Sequence, residues 1–135
     1  MKLLLDTNVL VYNTIEDSGY HDLAVKIIDD AKGIYIPSII VHEYMWVMLK
    51  LANAPPSFIV LKLREYLEDP RTTYILESIN ILTDALKMLE EDHASLREIN
   101  DYIILATAIN YNIAIVAFDE KLKKIAIKRN LETIP

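Results

Sequence analysis

The chain has 135 residues, a length that fits one domain over residues 1–135 with a real hydrophobic core. It contains no cysteine, which excludes disulfides and thiolate metal sites, and its three histidines lack zinc-ligand spacing. The net charge of −6 argues against a general nucleic-acid binder but is compatible with a site built from carboxylates. Hydrophobic residues make up 53 %, so we expect a partner to cover part of the surface. No apolar run approaches the ~20 residues of a membrane span, and we expect a cytoplasmic protein.

Short apolar strands alternate with longer helices along the chain, a pattern typical of a parallel sheet covered on both faces. We predict strands at residues 2–5, 34–36, 72–76, 113–118 and 132–134. We predict helices from about residue 7, over 20–31, up to 52 with Ser38 as N-cap, around 58–67 between Pro55-Pro56 and Pro70, over 80–92, over 101–111 and from 120. The pattern therefore predicts a single α/β domain with a central parallel sheet of about five strands and helices on both faces.

Two of the predicted strands end in an aspartate, Asp6 after the first and Asp119 after the fourth. In open α/β sheets, ligands bind outside the carboxyl ends of the strands. Each aspartate also stands directly before a helix, where an N-cap role explains it equally well. A cap does not exclude a ligand role, and both interpretations stay open.

Two further acids lie on helices that are apolar nearly all round. Glu43 interrupts such a helix, and an unpaired carboxylate there needs a counter-charge, a metal or a water-filled cleft. A narrow solvated stripe shared with His42 is the alternative. Asp101 begins the second such helix, where an N-cap or a first-turn aspartate facing the helix dipole is as plausible.

Taken together, these four carboxylates are hard oxygen ligands suited to Mg²⁺ or Mn²⁺. Such an ion lowers the pKa of a bound water and neutralises charge that develops on a phosphate. The sequence offers no Ser/His/Asp or Cys/His arrangement and no glycine-rich phosphate loop as a substitute.

Four segments resemble, in order and separation, the acidic motifs of PIN-domain proteins: Asp-Thr-Asn-Val-Leu at 6–10, Ile-Pro-Ser-Ile-Ile-Val-His-Glu at 36–43, Asn-Asp-Tyr-Ile-Ile-Leu-Ala-Thr-Ala at 100–108 and Ile-Val-Ala-Phe-Asp at 115–119. The resemblance implies a PIN-like three-layer fold, with metal-dependent cleavage of RNA phosphodiesters. In size the chain looks most like VapC-type toxins, which pair with an antitoxin and usually dimerise. The resemblance also implies that the metal ligands or catalytic acids are Asp6, Glu43, Asp101 and Asp119, and that Asn8 orients Asp6 by hydrogen bonding.

One position departs from the family pattern. PIN-domain proteins commonly carry Thr or Ser two residues before the fourth acid, where this chain has Ala117. The missing hydroxyl would leave Asp119 more loosely positioned.

A short basic helix follows Asp119, with Lys121, Lys124 and Lys128 on one face. A solvated amphipathic helix is the ordinary explanation. The alternative is that these lysines contact RNA phosphates beside the metal.

Two apolar helices, around residues 45–49 and 58–67, are separated by Pro55-Pro56. Core packing is their default role. They could also form a clip for an antitoxin helix, or the seam of a homodimer.

Three other classes of function are alternatives. A haloacid-dehalogenase-type phosphatase would carry a second aspartate in place of Asn8, and a phosphotransfer receiver would carry an acidic pair before Asp6. A PIN-like scaffold without catalysis fits Ala117 but not the four retained acids. Flap nucleases acting on DNA carry additional acids and segments. We therefore predict a Mg²⁺- or Mn²⁺-dependent endoribonuclease.

Overall fold

The computed structural model describes residues 1–135 and contains one parallel sheet. Its strands are β1 (Lys2–Leu5), β2 (Gly33–Pro37), β3 (Thr72–Ile75), β4 (Ala114–Val116) and β5 (Thr133–Ile134). They lie in the order β3-β2-β1-β4-β5, and every neighbouring pair is parallel. The predicted five-stranded parallel sheet is confirmed.

Seven α-helices and one 3-10 turn connect the strands. The helices are α1 (Thr7–Thr14), α2 (His21–Asp30), α3 (Ser38–Lys50), α4 (Pro56–Leu67), α5 (Ile79–Glu91), α6 (Ile99–Tyr111) and α7 (Glu120–Lys128), and the 3-10 turn is Leu96–Glu98. Helices α1 and α2 connect β1 to β2, and α3 and α4 connect β2 to β3 at one edge of the sheet. Helices α5 and α6 then connect β3 to β4 on the other side of β1, and α7 connects β4 to β5 at the opposite edge. Because crossovers are right-handed, these two groups cover opposite faces of the sheet, as the predicted three-layer fold requires. No helix is both long and apolar enough to cross a lipid bilayer.

Strands β1 and β4 are buried along nearly their whole length. Leu3, Leu4 and Leu5 of β1 are buried, and so is every residue of β4, because both strands are covered on both faces. Strand order reverses at β1, since β2 lies on one side of it and β4 on the other. A ligand crevice is therefore expected beyond the carboxyl ends of β1 and β4.

Four predicted helix starts differ from the structure by one or two residues, and two of these differences are small, since α2 begins at His21 and α5 at Ile79. Ser38 is the first residue of α3 and not its N-cap, which is Pro37. One of the backbone N–H groups left without a partner at this helix start is satisfied by a residue distant in sequence, because Glu77 accepts a 3.0 Å hydrogen bond from the Ile39 N–H. Glu77 also accepts a hydrogen bond from the Ser38 hydroxyl. The helix predicted from Asp101 begins earlier, at Ile99.

Asp92 joins three helices at one end of the fold. Its side chain is only 7 % exposed and follows the last residue of α5. The Tyr102 hydroxyl of α6 donates to Oδ2 at 2.8 Å, while Lys128 Nζ and Arg129 Nη2, at the end of α7, donate to Oδ1 at 2.9 and 2.8 Å. Burial acts to raise the pKa of Asp92, but these donors and charges outweigh it and hold that pKa below 3.8.

We expect Asp92→Asn to lower the free energy of unfolding at pH 7 by about 2 kcal/mol, since it removes the charge that the two cations face. Urea unfolding measures this loss. Asp30→Asn is the matched control, because the Lys26–Asp30 pair is exposed and its loss should change stability by less than about 0.5 kcal/mol. Because the pKa of Asp92 is lowered, its contribution is present above pH 3.8 and lost as pH falls through the folded pKa. Equal losses in the two variants at pH 7 would contradict the assignment.

Candidate active site

Asp6 and Asp119 lie beyond the ends of the two adjacent central strands. The Asp6 N–H donates to the Val116 carbonyl at 3.0 Å and so extends the pairing of β1 with β4. Asp6 occupies the N-cap position of α1, yet its side chain makes no capping hydrogen bond. Asp119 does cap its helix, because it accepts a 3.1 Å hydrogen bond from the Lys121 N–H. Capping therefore explains part of the role of Asp119 and none of that of the Asp6 side chain.

Glu43 is held in place by a threonine from another helix. It is half-buried on α3, a helix whose neighbouring residues Ile40 and Tyr44 are fully buried. The Thr7 hydroxyl, from the first turn of α1, donates to Glu43 Oε1 at 3.0 Å. Because Thr7 is itself buried, this hydrogen bond fixes one oxygen of Glu43 and leaves the other for a ligand.

Asp101 is the third residue of α6 and lies in its first turn. It is therefore not an N-cap. Its carboxylate is half-buried at the positive end of the helix dipole, and no hydrogen bond to the protein holds it.

All four predicted acids line one cavity of about 190 Å³. Its lining also includes Asn8 and two residues of α3, and the full set is Asp6, Thr7, Asn8, Glu43, Trp46, Val47, Asp101 and Asp119. The acids come from four separate places in the sequence, which only the fold brings together.

The pKa values of two of these acids are raised. Burial is the main cause of the rise of the Asp6 pKa from 3.8 to about 7; the Thr7 N–H opposes it, and the charges of Glu43, Asp101 and Asp119 add to it. Burial also raises the pKa of Asp101 to about 6, with further contributions from Asp119 and Glu43. The cavity is thus short of positive charge, and a cation placed in it would be stabilised.

The PIN domain family model matches residues 3–128 of the chain, and thus nearly its whole length. The chain is a PIN-domain protein. No curated protein matches its sequence significantly.

Solved structures share the fold of this PIN domain at low sequence identity. A chain of VapBC2 from Rickettsia felis, bound to a DNA fragment from its promoter, superposes with a TM-score of 0.68 and 23 % identity over 98 % of this chain and 97 % of that one. VapC20 from Mycobacterium tuberculosis, described as a Sarcin-Ricin loop cleaving toxin, gives a TM-score of 0.77 and 14 % identity over 92 % and 95 %. A toxin–antitoxin complex from Klebsiella pneumoniae gives 0.62 and 20 % over 89 % and 88 %.

The donor set of this PIN domain fits a hard divalent cation. All four acids offer oxygen, as Mg²⁺ and Mn²⁺ prefer. No three His, Asp or Glu side chains stand close enough together to hold an ion as they are. Mg²⁺ is commonly bound through one or two carboxylates while it keeps several waters and contacts substrate phosphates. The spread of the acids around the cavity is compatible with that kind of binding.

A second cavity, of about 370 Å³, adjoins the first and shares Asp101 and Asp119 with it. Its lining is entirely polar: Ser95, Arg97, Glu98, Asp101, Asp119 and Lys121. Of the three predicted phosphate-binding lysines, only Lys121 lies here. Lys128 pairs instead with Asp92, and Lys124 is exposed outside both cavities.

Sequence reasoning missed Thr7 and Arg97. The position of Thr7 directly after Asp6 was a usable signal, since a hydroxyl in a first helical turn often orients a neighbour. Nothing in the sequence around Arg97 indicated that the 3-10 turn would bring it to the acids. Asn8 does line the first cavity but makes no hydrogen bond to Asp6, and Ala117 is fully buried outside the lining. The roles of both residues in the site stay predictions.

Without metal, we expect Asp6→Asn to stabilise the protein at pH 8. The pKa of Asp6 is raised from 3.8 to about 7, so the folded protein holds this proton more strongly than the unfolded chain does. The protein therefore has its full stability below pH 4 and loses part of it as pH rises through 7 and Asp6 ionises. The variant should exceed wild type by about 2 kcal/mol in EDTA at pH 8, roughly 6 °C in Tm, and match it at pH 4. Thermal unfolding of both, with exposed Asp17→Asn as control, checks this. Equal Tm values at pH 8 would show that ionised Asp6 carries no such penalty.

Proposed function

We propose that this PIN domain is a Mg²⁺- or Mn²⁺-dependent endoribonuclease and the toxin of a toxin–antitoxin pair that acts in the cytoplasm. The observation that carries the proposal is the convergence of four carboxylates on one cavity at the carboxyl edge of the sheet. Two of these acids have pKa values raised by burial and by mutual repulsion, which is a common property of functional sites.

Each acid has a separate part in the proposed reaction. Asp6, the most buried, and Asp101 are the leading metal ligands, because their ionised forms gain most from a nearby cation. Glu43, with one oxygen fixed by Thr7, and Asp119, fixed by the start of α7, orient the attacking water. A bound divalent ion supplies positive charge for the phosphate and lowers the pKa of that water.

The adjoining polar cavity supports a polyanionic substrate. Arg97 and Lys121 line it and form no ion pair with any acid of the chain, so both cations are available to phosphate oxygens. Although the net charge is −6, local positive charge thus lies on one side of the acids. Phosphates flanking the scissile bond would be held there without reading of sequence.

The choice of RNA and of the toxin role rests on family and neighbours. One neighbour is described as a Sarcin-Ricin loop cleaving toxin, and others are toxin–antitoxin complexes. Rival phosphatase chemistry lacks its second acid, since Asn8 lines the cavity where one would be needed.

An exposed apolar region supports a protein partner. Between the end of α1, α3 and the start of α4 lies a cavity of about 510 Å³, lined by Thr14, Ile15, Met48, Ala52, Asn53, Ala54, Pro55 and Phe58. Nearby Leu49, Leu51 and Leu61 are exposed, and together they give a face that an antitoxin segment or a second copy could cover. We therefore propose an antitoxin and a homodimer as partners.

The proposal predicts cleavage of labelled structured RNA with Mn²⁺ or Mg²⁺ and none with EDTA. Asp6→Asn and Asp101→Asn should each slow cleavage at least about 100-fold, because each removes charge that the metal and the developing phosphate charge require. Asp17→Asn, an exposed acid outside both cavities, should cleave like wild type.

Cleavage that persists in EDTA, or that is equal in Asp6→Asn and wild type, would remove the ribonuclease assignment. Metal titration by calorimetry then tests the site by itself: wild type should bind Mn²⁺ with an affinity that Asp6→Asn loses by about tenfold or more.

We expect the two cations of the polar cavity, Arg97 and Lys121, to make RNA binding depend on salt concentration. In the non-cleaving Asp6→Asn background, Lys121→Ala should weaken RNA binding and reduce the slope of log K against log [salt] by about 0.7, the value for one phosphate contact on a single strand. Lys124→Ala is the matched control, since Lys124 lies on the same helix outside both cavities. Anisotropy of labelled RNA at several salt concentrations measures both. Equal slopes for Lys121→Ala and Lys124→Ala would show that Lys121 does not contact RNA phosphates.

A further inference from the structure

Trp46 is an exposed aromatic residue at the rim of the acidic cavity. Its side chain lines the same cavity as the four acids, yet the residue remains 57 % exposed. The fully buried Tyr44 and the almost fully buried Met48 lie on the same helix, so α3 has a buried face that Trp46 does not use. An indole left largely in water gives up much of the stabilisation that its large apolar area could provide. The position therefore indicates contact with a ligand rather than with the core.

A cation follows Trp46 along the same stripe of α3. Lys50 Nζ lies 5.4 Å from the centroid of the Trp46 ring and belongs to no ion pair. Glu43, Trp46 and Lys50 are spaced three and four residues apart, which places acid, aromatic ring and cation in line on one helix face. A nucleotide presents matching groups in the same order, namely a phosphate at the metal, a base, and a further backbone phosphate.

We propose that the Trp46 indole stacks on an unpaired nucleobase next to the scissile phosphate and thereby positions that phosphate at the acids. This inference rests on the nuclease function proposed above. Base–aromatic stacking tolerates any sequence, because every base has a π-face. Bases inside a duplex are already stacked on their neighbours, so a paired strand does not offer one to Trp46. Lys50, a long flexible cation that lies over the Trp46 ring, is close enough to pair with a backbone phosphate beside the stacked base.

A protein is the other occupant that an exposed tryptophan can accept, and Met45 and Leu49 are also exposed on this helix. The surroundings of Trp46 favour a nucleotide. The ring lies between a cavity lined by four carboxylates and the Lys50 ammonium, and this alternation of charge matches a metal-bound nucleotide better than the apolar face of a helix.

Trp46 is the only tryptophan of the chain, which gives the test a direct optical signal. The Asp6→Asn variant, in which cleavage should be slowed at least about 100-fold, is titrated with a six-nucleotide single-stranded RNA in Mn²⁺ and separately with the same sequence as a blunt duplex. Stacking should quench the tryptophan emission with the single strand and leave it nearly unchanged with the duplex. Anisotropy of the 5′-labelled RNA measures affinity independently of the tryptophan.

In that background, Trp46→Ala should weaken single-strand binding about tenfold or more, and Trp46→Phe should retain most of the affinity, because the aromatic face and not the indole N–H carries the contact. Leu86→Ala, which removes an exposed apolar side chain of α5 outside both polar cavities and outside the proposed partner face, should bind like its parent. Lys50→Ala should weaken binding less than Trp46→Ala and flatten the salt dependence.

Three results would overturn the inference. In the first, RNA binds by anisotropy with no change in tryptophan emission, or Trp46→Ala binds as tightly as its parent; the nuclease proposal then survives and the stacking role does not. In the second, duplex and single strand quench equally. In the third, the tryptophan emission shifts with protein concentration alone and Trp46→Ala abolishes a dimer, which would place the Trp46 ring in a dimer interface. If neither RNA binds in Mn²⁺ and wild type does not cleave the single strand either, the proposed function fails together with the inference.

Discussion

The burial of the Asp6 carboxyl at the end of β1 is the constraint on which the rest of the site depends. Strand β1 lies in the middle of the sheet with its leucines fully covered, so the residue that follows it has little access to water. Three further acids approach this carboxyl, and their charges raise its pKa instead of lowering it. An arrangement of this kind opposes folding at neutral pH unless a cation compensates for it, as is common where residues are arranged for function rather than stability.

The scaffold behind Glu43 is held by polar contacts as well as by apolar packing. The hydroxyls of Tyr44 and Tyr66 lie 2.8 and 2.9 Å from the Thr14 hydroxyl, and the Asn13 amide donates to the Tyr66 hydroxyl at 2.7 Å. Tyr66 also donates to the Leu10 carbonyl, so these contacts join α1, α3 and α4. Because Glu43 and Thr7 stand on two of these helices, the network limits the relative movement of the acid and the hydroxyl that orients it.

Most of the fold could be predicted from the sequence because its local signals agree. Buried strands read as continuous apolar runs, and the acids that end them indicated the edge at which the site lies. The sequence could not reveal partners distant along the chain. Glu77 supplies the cap that Ser38 was expected to provide, and Lys128 is paired with Asp92 rather than placed beside the acids. Such pairings depend on where loops bring side chains, and no periodicity reports that.

The two cavities share Asp101 and Asp119, and their arrangement affects whether the site needs a chain end or accepts the middle of a polymer. In an exonuclease, one side of the active site is commonly blocked or binds the terminal phosphate, so that cleavage occurs only near a chain end. Here the acids have space on both sides, towards Trp46 in one direction and towards Arg97 in the other. Under the proposed nuclease function, a strand would enter on one side and leave on the other, so that bonds in the middle of a chain would be reachable without a free terminus.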